Sequence, residues 1–224
     1  MDYNLLADLL FPNIDKSPDD YEKIYPERDL AEGAKVTRLG PSPTGFIHLG
    51  NLYGAFVDER LAHQSGGVFY LRIEDTDDKR FVDGAVKIII DSLRFFGINF
   101  DEGAGLNGDK GAYGDYTQSR RGDIYAAFAK KLVREGKAYP CFLTEDEIAE
   151  IRSKQEAAKQ NPGIYGEFAA HRKLSLEDVE ANIKAGKPYV LRLKSDGNPD
   201  PENARRIKVE DAIRGTLDMP ENFQ

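Results

Sequence analysis

The sequence has few cysteine and histidine residues and no long apolar run. It contains 224 residues with one cysteine, Cys141, and three histidines. A single cysteine excludes an internal disulfide and cannot provide the four or so closely spaced ligands of a structural zinc site. We therefore expect no zinc, a buried apolar role for Cys141 and a reducing, cytoplasmic environment. No stretch of about eighteen apolar residues is present, so no membrane span is expected, and residues 1–10 lack the basic flank of a signal peptide.

Basic side chains are outnumbered by acidic ones, 31 to 39. The net charge is −8 at pH 7, which argues against non-specific binding of nucleic acid through a basic surface. Residues 1–32 hold nine acidic and three basic side chains, so most of the negative charge lies in this first segment. The rest of the chain is close to neutral. A local nucleic-acid-binding face there is compatible with the composition but is not indicated by it.

The hydrophobic pattern of residues 35–137 alternates between strand and helix. This order predicts an α/β fold with a doubly wound parallel sheet. The apolar run at 68–73 suits a strand buried on both faces. The predicted elements are a strand over 35–39, a helix over 51–64, a strand over 68–73, a helix over 81–96, a loop over 99–115 and a helix over 117–135.

The pattern changes on either side of this sheet. Residues 1–34 contain three prolines and predict a loosely packed N-terminal extension with a short helix over 4–11. Residues 138–224 predict an α+β module in which Thr144 with Glu147, and Ser175 with Asp178, begin two helices as capping boxes. The helix that begins at Thr144 is predicted to have about sixteen residues. An irregular segment is predicted over 160–170, and strands are predicted over 138–143, 189–194, 206–210 and 213–217.

The most informative segment is Arg38-Leu-Gly-Pro-Ser-Pro-Thr-Gly-Phe-Ile-His-Leu-Gly-Asn51. It lies between the first predicted strand and the first helix, at the carboxyl edge of the sheet where ligands bind. A helix N-terminus offers free N–H groups to phosphate, Gly45 and Gly50 allow a close approach to the backbone, and His48 can donate a hydrogen bond. The segment predicts an anion or nucleotide site that is neither a dinucleotide-binding turn nor a P-loop.

A second polar segment, Leu71-Arg-Ile-Glu-Asp-Thr-Asp77, follows the second predicted strand. Glu74 can bind an ammonium group and Arg38 can bind a carboxylate through two hydrogen bonds. Together they would recognise the two charged ends of an amino acid, or an amino acid with an acidic side chain. The plainer alternative is that Glu74, Asp75 and Asp77 cap the next helix.

These two segments resemble those of the glutamyl-tRNA synthetases, which are class I synthetases with the HIGH signature. The resemblance rests on Arg-x-x-Pro-Ser-Pro-Thr-Gly-x-x-His-x-Gly from Arg38, Arg-Ile-Glu-Asp-Thr-Asp from Arg72, Tyr-Thr-Gln-Ser-Arg from Tyr116 and Gly-Lys-Ala-Tyr-Pro-Cys from Gly136. It covers about residues 35–224. The chain departs from the family pattern at Asn51, where the signature has histidine, at Gly40, where alanine is usual, and in lacking the Cys-x-Cys zinc pattern of some members.

The resemblance implies a glutamate–tRNA ligase that uses ATP with Mg²⁺ and transfers glutamate to the acceptor end of tRNA. Residues 35–137 would form the first half of the nucleotide-binding domain and residues 138–224 the acceptor-stem-binding insertion. The implied contacts are Arg38, Ser42 and Glu74 for glutamate, Thr44, His48, Gly50 and Asn51 for ATP, and Arg80, Arg120 and Arg121 for tRNA. Lys130, Lys131 and Arg134 are further basic candidates, and for the two lysines a solvated helix face is the plainer interpretation.

The family pattern would continue beyond Gln224 with the second half of the sheet, a KMSKS-type lysine loop and an anticodon-binding domain. We therefore expect a truncated front half with little or no aminoacylation activity alone. Three alternatives stay open: a glutamyl-queuosine-type tRNA-modifying relative, a nucleotidylyltransferase of the His-x-Gly-His type, and a non-catalytic fragment that binds tRNA or protein.

Overall fold

The computed structural model describes residues 1–80, 82–195, 197 and 205–220. It divides the chain into two compact units. The sheet unit is Lys16–Ala127, and the mixed unit combines Met1–Asp15 with Phe128–Gln224. The predicted limits after residues 34 and 137 differ from the limits of these units, and as domain boundaries they remain predictions.

The described elements alternate in type along the first half of the chain. The α-helices are α1 (Tyr3–Leu10), α2 (Pro18–Ile24), α3 (Leu49–Gln64), α4 (Ala85–Phe95), α5 (Gly122–Arg134), α6 (Glu145–Ala157) and α7 (Leu176–Lys184). The strands are β1 (Val36–Leu39), β2 (Val68–Leu71), β3 (Glu102–Gly103), β4 (Ala138–Cys141), β5 (Val190–Leu193), β6 (Arg206–Asp211) and β7 (Gly215–Pro220). None of the helices in the described part of the chain is both long and apolar enough to cross a membrane.

The sheet unit contains a parallel sheet in the order β1-β2-β3. Helix α3 connects β1 to β2, and α4 connects β2 to β3. Val36 pairs with Val68 and Leu39 with Leu71, so the two strands end together. This shared end brings the two polar segments, which follow β1 and β2, to one edge of the sheet. The prediction of a parallel α/β fold is confirmed.

The core of the sheet unit forms where the helices cover the sheet. Phe69 and Leu71 of β2 are fully buried, and they pack with Ala55 and Ala62 of α3 and with α4 residues such as Leu93. The intervening β2 residues Val68 and Tyr70 are only partly buried. The prediction that β2 is buried on both faces is therefore wrong. Only one face joins the core, because the other carries Tyr70 against the ring of Tyr116, with centroids 6.1 Å apart.

Three local features of the sheet unit differ from prediction. The segment 99–115 is not all loop, since β3 pairs with β2 in parallel. Helix α4 begins at Ala85 instead of 81, after Gly84 in a left-handed conformation (φ 78°); Phe81 lies outside the described residues. The predicted helix over 117–135 starts as a 3-10 turn over Gln118–Arg121 before α5.

In the mixed unit, α1 is part of a core instead of a loose appendage. Leu6 is 1% exposed and packs in a cluster with Val133, Ala138 and Val179. Lys130 fixes the end of this segment, because its ammonium group donates to the carbonyl oxygens of Phe11 and Ile14 at 3.1 and 3.0 Å. The expectation of a loosely packed extension is wrong for residues 3–14.

The same contacts decide the role of two basic side chains in the mixed unit. Lys130 is 9% exposed and lies 2.9 Å from a carboxylate oxygen of Asp8, which Arg134 also contacts at 2.9 Å. These hydrogen bonds from Lys130 and then Arg134 lower the pKa of Asp8. Lys130 and Arg134 therefore both contact α1 through Asp8, and the interpretation as a solvated face is wrong for the buried Lys130.

The rest of the mixed unit follows its sequence signals closely. Thr144 with Glu147 and Ser175 with Asp178 form the predicted capping boxes of α6 and α7. Strands β4 and β5 pair antiparallel, as do β6 and β7. Cys141 is buried at 1% exposure, as expected for a small apolar residue. Helix α6 has 13 residues, slightly fewer than expected, and short 3-10 turns occupy part of the segment predicted to be irregular.

Candidate active site

The loop after β1 is held in place by the segment after β2. The backbone N–H of Glu74 donates to the carbonyl of Pro41 at 3.0 Å, and that of Val82 donates to Pro43 at 2.9 Å. Within the loop, the N–H of Thr44 donates to the carbonyl of Ser42 at 2.8 Å. Proline has no N–H, so this proline-rich loop cannot form a regular hydrogen-bond ladder. Hydrogen bonds to its carbonyl oxygens hold it in place instead.

A cavity of about 250 Å³ lies between this loop and the first turn of α3. Five of the predicted site residues line it: Ser42, Thr44, His48, Asn51 and Arg80. The predictions placed these five in three different roles, and the structure brings them to one cavity. A cavity at the N-terminus of a helix faces free N–H groups and the positive end of the helix dipole, so it suits phosphate oxygens.

His48 stands at the N-cap of α3, where its backbone N–H donates to the side-chain oxygen of Asn51 at 3.3 Å. Gly50 is not among the cavity-lining residues. A methyl group there would lie 3.0 Å from Cε1 and 3.1 Å from Nδ1 of His48. Gly50 therefore leaves room for the imidazole over the first turn, which is a different contribution from direct ligand contact.

Arg38 and Glu74 meet at the carboxyl edge of the sheet. Nη1 of Arg38 lies 2.7 Å from Oε1 of Glu74, and Nη2 of Arg72 lies 2.9 Å from the same oxygen. The predicted pair is thus adjacent, and its two members are bonded to each other. Gly40 lies against this pair, and a methyl group at residue 40, where alanine is usual in the family pattern, would lie 2.6 Å from Oε1 of Glu74 and require the carboxylate to shift.

Arg72 is a site residue that the motif analysis missed. The signal was present in the spacing, since residues two apart on extended backbone point to the same side. Arg72 precedes Glu74 by two residues, and its guanidinium donates to the same carboxylate oxygen, Oε1, as that of Arg38. Only the structure shows that Glu74 is shared by two arginines.

The acidic side chains after Glu74 bond to groups other than the N-terminus of the next helix. Asp75 accepts hydrogen bonds from the N–H and the hydroxyl of Ser119 at 2.9 and 2.7 Å. Burial alone would raise the pKa of Asp75, but these bonds from Ser119 outweigh it and the pKa is lowered. Asp77 pairs with Arg80, with Nε 2.6 Å from Oδ2. The capping interpretation is wrong for α4, because its N-cap is Gly84.

The three arginines predicted to contact tRNA differ in exposure. The side chain of Arg80 is 73% exposed, and that of Arg120 is 65% exposed with Asp115 at 3.9 Å. Arg121 is turned inward, where Nη1 donates to the carbonyls of Tyr113 and Asp115 at 3.2 and 2.8 Å. Arg80 and Arg120 are therefore accessible to a large partner, whereas Arg121 fixes a loop.

Metal ligands are sparse in this region. Among the residues that the structure describes, no group of three or more His, Cys, Asp or Glu side chains is arranged to hold a metal ion. Mg²⁺ keeps several waters and is commonly bound through substrate phosphates and one or two carboxylates, so a nucleotide-borne Mg²⁺ does not require such a group.

Comparison with known proteins decides the family. The profile of "tRNA synthetases class I (E and Q), catalytic domain" matches residues 35–223, which include the loop after β1, the Arg38–Glu74 pair and most of the mixed unit. The chain belongs to this family. Its parallel sheet is therefore part of a class I synthetase catalytic domain.

The similar curated proteins are named glutamate–tRNA ligases. A glutamate–tRNA ligase of Acetivibrio thermocellus is 60% identical over 225 residues, covering 100% of this chain and 40% of the relative. One from Sorangium cellulosum is 41% identical, covering 92% and 38%. The chain thus spans about 40% of the length of the curated relatives that it matches.

Solved structures are similar as well. A glutamate tRNA ligase from Elizabethkingia meningosepticum, in complex with its amino acid, superposes with a TM-score of 0.71 at 34% identity. The match covers 85% of this chain and 37% of that chain. A glutamate-tRNA synthetase from Elizabethkingia anophelis gives a TM-score of 0.70 at the same identity. The fold of this chain is therefore shared with synthetase structures.

Proposed function

We propose that this chain carries the glutamate- and ATP-binding part of a glutamate–tRNA ligase. The observation that carries the proposal is the pairing of Arg38 with Glu74 at 2.7 Å, beside the loop that follows β1. A guanidinium and a carboxylate in contact offer complementary partners for the side-chain carboxylate and the α-ammonium group of glutamate. The names of the relatives favour glutamate over other amino acids.

Glutamate would enter this site by exchanging ion-pair partners. Its side-chain carboxylate takes the place of Glu74 on Arg38, and its ammonium group binds to the released carboxylate of Glu74. Arg72 continues to hold Oε1 of Glu74, so the carboxylate is never left without a cation. Ser42, which lines the adjacent cavity, orients the amino-acid backbone in this proposal.

ATP would occupy the cavity between the loop and α3. Thr44, His48 and Asn51 line this cavity and provide hydrogen-bonding groups near the N-terminus of α3. Gly50 supports the site by leaving room for the imidazole of His48. Mg²⁺ would arrive with ATP and be held mainly by its phosphates.

The chemistry proposed for the whole protein has two steps. An oxygen of the α-carboxylate of glutamate attacks the α-phosphorus of ATP, the bond to the bridging oxygen breaks, and pyrophosphate leaves as glutamyl-adenylate forms. A hydroxyl group of the terminal adenosine of tRNA then attacks the glutamyl carbonyl and displaces AMP. The residues of this chain contribute positioning and charge stabilisation without a covalent intermediate on the protein.

The contacts with tRNA belong to the same proposal. The exposed Arg80 and Arg120 would contact the acceptor end, and Arg121 would act by holding the loop beside them. Residues 138–224 would form the acceptor-stem-binding insertion, residues 35–137 the first half of the nucleotide-binding domain, and residues 1–34 an extension. A cytoplasmic location completes the proposal.

Amino-acid-dependent exchange of pyrophosphate into ATP tests the proposed chemistry. The assay compares glutamate, glutamine and aspartate on the purified chain, with and without bulk tRNA. We expect any exchange to require glutamate, and we expect no aminoacylation of tRNA by the chain alone. His48→Gln should lower exchange about tenfold or more, whereas His63→Gln, later on the same helix, should not.

Two results would count against this account. Equal exchange with aspartate or glutamine would contradict the assignment of the amino acid. Glutamate binding without any exchange would favour the alternative of a non-catalytic binding fragment.

A further inference from the structure

A second polar cavity, of about 200 Å³, lies in the sheet unit and has no role in the proposed chemistry. Three arginines and four tyrosines line it, and none of these seven residues is acidic. The arginines come from three separate segments of the chain: Arg28 precedes β1, Arg72 follows β2, and Arg121 ends the 3-10 turn before α5.

The cationic charge around this cavity exceeds the anionic charge. Arg28 bonds to Glu102 at 2.6 Å, and Arg72 shares Glu74 with Arg38. Arg121 bonds only to neutral backbone carbonyls among the residues that the structure describes. Among the described residues, direct ion pairs to the three lining arginines thus come from two carboxylates, and one of these, Glu74, is shared with Arg38, so the guanidinium groups are incompletely neutralised at a partly buried position where charge is poorly screened.

Each lining arginine also has spare hydrogen-bond donors. Every one of them makes its hydrogen bonds through a single η nitrogen: Nη2 of Arg28, Nη2 of Arg72 and Nη1 of Arg121. Their Nε atoms are buried and find no acceptor within the described ranges. Buried donors are nearly always satisfied in native proteins, so three incompletely bonded guanidinium groups around one cavity indicate an anionic acceptor.

The aromatic walls of the cavity pack closely against neighbouring groups. The guanidinium of Arg28 lies 3.6 Å from the ring centroid of Tyr113. A methyl group at Gly114 would lie 2.5 Å from the hydroxyl oxygen of Tyr25, and one at Gly111 would lie 2.2 Å from that of Tyr116. The rings of Tyr25, Tyr113 and Tyr116 thus have close neighbours in the cavity wall.

The hydroxyl of Tyr116 adds no negative charge. Its burial, together with the carboxylate of Glu102 that accepts its hydrogen bond at 2.7 Å, raises the pKa of Tyr116 to about 12. The tyrosine is neutral at physiological pH, and the lining of the cavity keeps its cationic character.

We propose that this cavity binds a small tetrahedral oxyanion of the phosphate class. Its volume of about 200 Å³ is below the roughly 300 to 1,000 Å³ of pockets for drug-sized ligands. Donors from three separate segments suit an anion with three or four oxygens better than a planar carboxylate with two. Within the sheet unit, the site joins Arg28, from the segment before β1, to Arg72 after β2 and Arg121 before α5.

An anion in this cavity also acts on the glutamate site through Arg72. The guanidinium that binds the anion is the one that holds Glu74, so occupancy weakens the bond between Arg72 and Glu74. Glutamate affinity is then expected to change with phosphate concentration. This effect rests on the proposed function, whereas binding of the anion itself does not.

Titration of the chain with inorganic phosphate, at ionic strength held constant with chloride, tests the proposal. Calorimetry should give saturable binding, and Arg121→Gln should weaken it by about tenfold or more because a charged hydrogen-bond donor is lost. Arg94→Gln is the matched control, since this exposed arginine lies on α4 of the same unit and pairs with Asp91. Its affinity for phosphate should stay within about twofold of the parent chain.

Backbone amide spectra of the unsubstituted chain locate the phosphate without relying on the folding of a variant. The proposal predicts shifts at residues 113–121 on titration. Shifts confined to residues 42–51 would overturn it, because phosphate would then occupy only the cavity assigned to ATP. An absence of saturable binding, or equal affinity in Arg121→Gln and the parent chain, would also overturn it.

Discussion

Replacing Arg38 by glutamine is expected to weaken glutamate binding by about 30- to 100-fold, because a charged pair with the ligand carboxylate is lost. Arg38 is 37% exposed and lies 2.7 Å from Glu74, whose carboxylate is also held by Arg72. The substitution therefore leaves no carboxylate unpaired in the free protein, and stability should change little because an exposed pair is screened by solvent. Equilibrium dialysis with labelled glutamate measures the affinity.

The control for this prediction is ATP binding to the same variant. His48 and Thr44 line a separate cavity, so ATP affinity should remain within about threefold. A variant that loses both ligands has lost its fold. A variant that keeps the parent chain's affinity for glutamate would show that Arg38 does not bind the carboxylate of the amino acid.

Replacing Gly67 by alanine is expected to destabilise the chain by about 3 kcal/mol, because overpacking against backbone cannot be relieved by a side-chain movement. A methyl group at residue 67 would lie 1.9 Å from the carbonyl oxygen of Lys35. That carbonyl accepts the N–H of Val68 at 3.0 Å, where β1 and β2 begin to pair. Relief of the clash would therefore separate the two strands that carry the site.

Gly54→Ala is the matched control for Gly67→Ala. Gly54 lies inside α3, and nothing lies within 4 Å of an added methyl group. Alanine there should stabilise the chain by about 0.5 to 1 kcal/mol, because glycine loses more backbone entropy in a helix. Urea unfolding of both variants measures the free energies. Similar stability of Gly67→Ala and the parent chain would contradict the close approach of Gly67 to Lys35.

Much of the sheet unit was predictable from local pattern. Strands β1 and β2 and helix α3 lie within three residues of their predicted positions, because each combines an apolar pattern with a glycine or proline boundary. Strand β3 was not predictable in this way. It has two residues within a glycine-rich segment, and its pairing with β2 depends on contacts that no local period records.

Helix α2 was missed although its signal was present. Ser17 and Asp20 form a capping box around Pro18, which begins the helix, and this spacing is readable in the sequence. The three prolines of the first segment instead suggested an irregular extension. A proline at the first position of a helix is favourable, so its presence should have been weighed as a start signal.

The composition of the candidate site was predictable only in part. Motif spacing identified Arg38 and Glu74, and the parallel pairing of β1 and β2 explains why they meet. The sharing of Glu74 with Arg72 and the inward turn of Arg121 depend on side-chain geometry. The contact of Arg28 with Glu102 joins residues 74 positions apart, which sequence reasoning cannot detect without homologues.

The most direct test of the central claim is the selectivity of amino-acid binding by the unsubstituted chain. Equilibrium dialysis should show that glutamate binds at least about tenfold more tightly than glutamine, which lacks the charge for Arg38, and than aspartate, whose carboxylate is one methylene nearer to the backbone. Equal affinities for the three amino acids would contradict the assignment of Arg38 and Glu74 as the groups that recognise glutamate.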